Sequence, residues 1–114
     1  MSSHQLAAES YRIMWLFVFF DLPVTSDRQR KRATRFRKNL LDDGFSMMQF
    51  SVYIRHCASK ENATVHINRI RKLIPPEGHV SIVSITDKQF GNILNVRGAT
   101  KEDPPPAPAQ LEMF

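Results

Sequence analysis

The sequence predicts an α+β sandwich of ferredoxin-like type, in which two helices cover one face of a small sheet. Three observations carry this prediction. The 114 residues suit one domain, 42% of them are hydrophobic, and strand-like and helix-like periods alternate along the chain. We divide the chain into a loose N-terminal lead-in (1–10), one folded domain (11–98) and a Pro-rich C-terminal tail (99–114) that favours extended backbone.

The first strand and first helix are marked by their residue types. Tyr11–Phe20 is aromatic and β-branched, which is typical of a strand. A helix is predicted over Asp27–Asp43, because Ser26 and Gln29 have capping-box spacing and Gly44 is a usual C-terminal stop. The apolar stripe of this helix consists of Ala33, Phe36 and Leu40.

The remaining elements follow in the order strand, helix, strand, strand. Phe45–Arg55 alternates with period two and predicts one long strand, which could also bend into two. A second helix is expected from Ser59 to Leu73, a third strand over Gly78–Thr86, and a short fourth strand over Phe90–Val96. The predicted apolar face of the long strand carries Met48, Phe50, Val52 and Ile54, and its polar face carries Gln49, Ser51, Tyr53 and Arg55.

The first strand is apolar on both faces, which predicts assembly. Two helices cover only one face of a small sheet, so the other face needs a cover. A second copy, packed sheet against sheet, is the simplest cover and predicts a homodimer. The alternative is that strand ends and loops fold over this face.

The chain is expected to be cytoplasmic, with no membrane partner. Cys57 is the only cysteine, so no intrachain disulfide forms and a reducing compartment fits. The apolar run Ile13–Phe20 is far shorter than the ~20 residues of a membrane-spanning helix. No small-residue cleavage pattern follows it.

The positive charge of the chain points to a polyanionic partner, with nucleic acid first and an anionic membrane surface second. The formal net charge is +5, and much of it is concentrated in the first helix. A row of such side chains gives sequence-independent, salt-sensitive binding to phosphate, whereas the alternative is a merely solvated helix face. The cations are Arg28, Arg30, Lys31, Arg32, Arg35, Arg37 and Lys38.

Asp21 is the candidate metal ligand and catalytic residue. It directly follows the apolar strand, and Pro23 holds Leu22 extended, so the carboxylate is presented at the rim of the sheet. Such a carboxylate can bind Mg²⁺ together with water and phosphate. The alternative is a turn or cap hydrogen bond. The four histidines have no metal-ligand spacing, and no other acid or base is clearly placed to help.

Three further residues are supporting candidates. Ser51 and Tyr53, on the polar face, could touch phosphate or serve a dimer, and the sequence does not choose between these roles. Phe20 precedes Asp21.

Five segments, taken as an ordered set, resemble the CRISPR-associated Cas-two family. They are Phe19-Phe20-Asp21-Leu22-Pro23, Arg28, Phe36-Arg37-Lys38-Asn39-Leu40, Gly44-Phe45 and Gln49-Phe50-Ser51-Val52-Tyr53. The later Thr86-Asp87-Lys88-Gln89-Phe90 resembles the version of type II systems, which work with the Cas-nine effector.

The resemblance implies a ferredoxin-like βαββαβ homodimer, often with a last short strand added to the partner's sheet. It implies a metal-dependent endonuclease on RNA or DNA, with Asp21 as the ligand of Mg²⁺ or another divalent cation. It also implies the central dimer of the prokaryotic spacer-integration complex, which bridges Cas-one integrase dimers and holds a duplex DNA prespacer.

Three functions therefore compete, and we rank them in this order. The first is a DNA-holding subunit of the integrase, and the second is a Mg²⁺-dependent nuclease acting through Asp21; both can be true. The third is an unrelated ferredoxin-like RNA binder. It ranks last because this sequence lacks the aromatic octapeptide on which such sheets stack bases.

Overall fold

A computed structural model describes residues 13–98 and 100–101, so the predicted lead-in and most of the tail lie outside the described residues. Four strands form an antiparallel sheet in the order β2-β3-β1-β4, with β1 in its interior. The elements are β1 (Met14–Asp21), α1 (Asp27–Asp42), β2 (Ser46–Gln49), β3 (Val52–Cys57), α2 (Lys60–Arg71), β4 (His79–Thr86), α3 (Asp87–Gly91), β5 (Val96–Arg97) and β6 (Thr100–Lys101). The first six elements give the βαββαβ order, and the predicted ferredoxin-like class is confirmed.

The helices α1 and α2 pack on one face of the sheet and enclose the main core. The α1 stripe is buried as predicted, and Ala63 and Ile70 of α2 are buried with it. These side chains pack against one face of β1, which contributes Met14, Leu16, Val18 and Phe20. The predicted capping box forms, because the Ser26 hydroxyl accepts from the Gln29 backbone and the Gln29 side chain accepts from Ser26.

The opposite face of the sheet is partly covered by α3, the short helix that directly follows β4. The Trp15 and Phe90 rings stack with centroids 3.8 Å apart, and the Trp15 indole N–H donates to Asp87 Oδ1 at 2.7 Å. The chain's own C-terminal segment therefore covers the start of this face, as the alternative to a dimer supposed. Beyond that cover, Phe19 is 40% exposed and Val83 is 42% exposed.

The predicted fourth strand over Phe90–Val96 is wrong. Phe90 belongs to α3, whose capping box at Thr86 starts a helical turn directly after β4. Only Val96–Arg97 is a strand, and it pairs with Thr100–Lys101 in a separate two-stranded sheet.

The stretch Phe45–Arg55 forms two strands, which was the alternative to one long strand, because the chain turns at Phe50–Ser51 between β2 and β3. Ser51 adopts a φ of 69°, and the pairing shifts register between Met47 and Gln49. The face expected to be polar is covered by the helices, so Tyr53 is buried in the main core.

A polar cluster ties the end of α1 to α2 and β3. His66 is buried, and its Nδ1 lies 2.7 Å from Asp43 Oδ2, while Arg69 Nη1 donates to Asp43 Oδ1 at 2.9 Å. Arg55 Nε donates to the Asp43 backbone carbonyl at 2.8 Å. Asp43 therefore joins three elements of the fold through one residue.

No helix among residues 13–98 is both long enough and apolar enough to cross a membrane.

Candidate nucleic-acid interface and carboxylate site

Four of the seven predicted cations line one groove along α1. Their spacing of i, i+3, i+4 and i+7 places them on one helix face, around a cavity of about 350 Å³. Within the described part of the chain, none of the four makes an ion pair or hydrogen bond that would satisfy its charge. We call this the cationic groove, and it consists of Arg28, Lys31, Arg32 and Arg35.

The other three predicted cations lie outside the groove. Arg30 forms an ion pair with Asp27 and donates to the Val24 carbonyl at 3.0 Å. The Arg37 guanidinium lies against aromatic rings on another flank of α1, and Lys38 is exposed. The groove thus brings together Arg28, Lys31, Arg32 and Arg35 and leaves Arg30, Arg37 and Lys38 elsewhere.

Asp21 is the last residue of β1, and its side chain is exposed. In the described ranges its carboxylate makes no hydrogen bond or ion pair, so the turn or cap bond considered above is not formed. The start of β4 packs directly against this point. A Cβ at Gly78, whose φ is +106°, would lie 2.7 Å from Leu22 Cδ2 and 2.9 Å from the Asp21 carbonyl oxygen.

His79 is the neighbour of Asp21 that sequence reasoning missed. The two residues are direct partners in the antiparallel pairing of β1 with β4, so their side chains leave the same face of the sheet. Both are exposed. A carboxylate beside an imidazole combines a ligand for hard cations with ring nitrogens that can donate or accept a hydrogen bond. Only the strand register brings them together, and no motif spacing could have revealed it.

The donor chemistry at Asp21 fits a divalent cation that is shared with other groups. No cluster of three or more His, Cys, Asp or Glu residues is present in the described ranges. Mg²⁺ typically takes one or two protein carboxylates and completes its shell with water and phosphate. Asp21 can provide one such carboxylate, if bound phosphate or a second copy of the chain supplies the remaining ligands.

The three supporting candidates occupy different environments. Phe20 and Tyr53 are buried in the main core, with ring centroids 5.6 Å apart, so their side chains are not open to a ligand. The Ser51 carbonyl accepts the Phe20 N–H at 3.1 Å. All three residues therefore support the backbone that leads into Asp21.

Cys57 is not placed for nucleophilic chemistry. It is fully buried in the main core, and this burial raises the pKa of its thiol despite the opposing effect of Arg55. A thiol whose pKa is raised stays neutral near pH 7 and is a weak nucleophile. Its neighbour His56 lies on the other side of β3, with its ring centroid 5.2 Å from that of Trp15.

These features define a small ferredoxin-like protein with a cationic helix and an exposed carboxylate at the end of its central strand. Residues 14–93 match the family model described as CRISPR associated protein Cas2. The chain belongs to this Cas2 family, which is the family that its motifs resemble.

Curated relatives match almost the whole chain. A protein of Flavobacterium psychrophilum named CRISPR-associated endoribonuclease Cas2 is 50% identical over 111 residues, which covers 97% of this chain and 96% of the relative. A protein of the same name from Parvibaculum lavamentivorans is 48% identical and covers 89% of this chain and 100% of the relative. A solved structure titled "Crystal structure of cas2" matches with a TM-score of 0.54 and 25% identity, over 80% of this chain and 93% of that one.

Proposed function

We propose that this protein is the nucleic-acid-holding dimer of CRISPR spacer acquisition, which works with Cas-one integrase dimers on a duplex DNA prespacer in the prokaryotic cytoplasm. The observation that carries the proposal is the cationic groove. Four cations on one helix face, unpaired with any acidic side chain of the described residues, provide a surface for a phosphate backbone. Contacts of this kind hold nucleic acid without reading its sequence, as capture of varied spacers requires.

The homodimer is supported by an exposed apolar part of the sheet face and by the unpaired edge of β4. Phe19 and Val83 lie on the face opposite the helices, beyond the cover that α3 provides. The outer edge of β4 has no strand paired to it in the described ranges. A second copy that packs on this face would bury both side chains, and the β4 edge could accept a strand of the partner.

A second function, metal-dependent cleavage of RNA or DNA, is favoured by Asp21 and His79. The relatives described above are named endoribonucleases. Asp21 lies on the same sheet face as Phe19, so packing of two copies through this face would place two carboxylates near the contact. A bound divalent cation such as Mg²⁺ would supply an activated water and stabilise negative charge on the phosphate.

Different residues of the chain would have different roles in cleavage. Asp21 of each copy would hold the cation, and His79 would exchange a proton with the attacking water or the leaving oxygen. The cationic groove would hold the flanking backbone in place.

One experiment separates the holding function from the cleaving function. Wild type, Asp21→Asn and the double variant Arg28→Gln/Arg35→Gln are assayed with and without Cas-one for prespacer integration and for cleavage. We expect Asp21→Asn to abolish cleavage and spare integration, and the groove variant to impair integration. Loss of integration in Asp21→Asn, with fold and complex intact, would show that carboxylate chemistry is part of acquisition. Normal integration by the groove variant would refute the holding role of the groove.

The third function considered above, an unrelated RNA binder, is excluded by membership of the Cas2 family.

A further inference from the structure

Phe50 has the highest exposed fraction of the large hydrophobic side chains in the described ranges, at 76%. It lies at the tip of the β2–β3 hairpin, outside the core, where a polar side chain would cost the core no contact. An aromatic ring left in water forgoes the free energy that burial would supply. Such a residue is better explained by a ligand than by the stability of the fold.

The Phe50 ring packs on the guanidinium of Arg37. The Arg37 guanidinium carbon lies 4.6 Å from the Phe50 ring centroid and 5.5 Å from that of Phe20. Arg37 Nε is buried and has no hydrogen-bond partner in the described ranges. The three groups form a contact series from the core outwards, in which Phe20 is buried, Arg37 is half-buried and Phe50 is open to solvent.

The backbone that presents Phe50 is strained. Ser51, the next residue, is the one non-glycine residue in the described ranges with a positive φ, at 69°. Two-residue hairpin turns normally use Asn or Gly where φ is positive. The turn is held by the hydrogen bond from the Phe20 N–H to the Ser51 carbonyl and by the contact between Arg37 and Phe50. Strain of this kind persists where neighbouring contacts fix it, and it is concentrated at functional sites.

We propose that Phe50 and Arg37 form a stacking platform for an unpaired nucleobase. The base lies on the Phe50 ring, and the positive charge of Arg37 attracts the phosphate of the same nucleotide. This inference rests on the proposed function, since it requires that the chain holds nucleic acid. The net charge of +5 and the cation beneath the ring favour a nucleotide over an apolar protein side chain.

The position of the platform suggests which part of a nucleic acid it binds. At ~100° per residue, Arg37 lies on the flank of α1 opposite the cationic groove. A duplex on the groove and a base on the platform would therefore contact different flanks of one helix. The ligand class is a single-stranded segment or the frayed end of a duplex.

The test compares three probes with equal numbers of phosphates, namely an oligothymidine strand, an abasic strand of the same length and a blunt duplex. The wild-type protein should bind the oligothymidine strand roughly 5-fold or more tightly than the abasic strand, because stacking of a base on an aromatic side chain gives that much affinity. Phe50→Ala should lose the preference for oligothymidine and keep duplex binding. Phe50→Trp should keep the preference for oligothymidine.

Fluorescence provides the second readout and its matched control. The only native tryptophan, Trp15, is buried, so the indole introduced by Phe50→Trp reports on the platform. Oligothymidine should quench its emission, and the abasic strand should not. Val65→Trp, at a site on α2 that is 45% exposed, should respond to neither strand.

The inference and the proposed function fail in different ways. If Phe50→Ala keeps the preference for bases while Arg28→Gln/Arg35→Gln loses duplex binding, the stacking platform is refuted and the holding role stands. If Phe50→Ala keeps the preference and instead weakens association with Cas-one, the exposed ring is a protein contact and the inference is wrong. If wild type binds none of the probes, both proposals fall.

Discussion

Neutralising the two ends of the cationic groove should change the salt dependence of duplex binding by a calculable amount. Arg28 and Arg35 are seven residues apart on α1. This separation corresponds to about 10.5 Å along the helix axis. Successive phosphates of one DNA strand advance by about 3.4 Å along the duplex, so the two arginines cannot share one phosphate. Arg28→Gln/Arg35→Gln should therefore remove two separate phosphate contacts in each copy of the chain.

Two lost contacts should lower the slope of log affinity against log salt by about 1.8 per copy bound. Between about 50 and about 200 mM salt, the affinity of the variant should then fall about 12-fold less than that of wild type for each copy that contacts the duplex. The measurement is a titration of labelled duplex by anisotropy at several salt concentrations, with two duplexes of unrelated sequence. Both duplexes should show the same change, because contacts to phosphate carry no sequence information.

The control variant carries the same loss of charge on α2. Lys60→Gln/Arg71→Gln also lowers the formal net charge of +5 by two, outside the groove. A slope change as large as that of the groove variant would mean that net charge, and not the groove, governs binding. A slope change for one duplex sequence alone would refute backbone holding.

Four further substitutions test the carboxylate site and the fold. Asp21→Asn should abolish divalent-dependent cleavage while light scattering still shows a dimer and duplex binding persists; cleavage at the wild-type rate would remove Asp21 as metal ligand. His79→Gln should lower cleavage about 100-fold, the lower end of the range for a general acid or base, and an unchanged rate would leave His79 without a catalytic role. Asp43→Ala should lower the free energy of unfolding in urea by about 2 kcal/mol, because buried His66 loses its partner. Arg69→Ala, which removes a more exposed partner of Asp43, should cost less than about 1 kcal/mol, and equal losses would contradict this assignment.

The parts of the fold that obey a simple period could be predicted from the sequence. The stripe Ala33, Phe36 and Leu40 is buried as expected, since helix geometry alone places these residues on one face. Asp21 could likewise be placed at the end of its strand, because an apolar run followed by Leu-Pro fixes where that strand stops.

The features that were missed depend on contacts between distant segments or on a turn without its usual residues. Phe90 reads as a strand residue by composition, yet its stacking on Trp15 accompanies a helical turn. A bend in Phe45–Arg55 could be expected, but its position at Ser51 could not, because the turn lacks the Gly or Asn that usually marks a positive φ. The proximity of His79 to Asp21 follows from a strand register that no local pattern encodes.

The close approach at Gly78 makes the placement of Asp21 depend on a residue with no chemistry of its own. Any side chain there would press on Leu22 and on the Asp21 carbonyl, in a backbone conformation that disfavours residues other than glycine. A random library screened for lost cleavage should therefore return Gly78 variants whose carboxylate is intact but displaced. A smaller Leu22 side chain should not restore activity in such variants, because the contact with the Asp21 carbonyl and the strained backbone conformation remain.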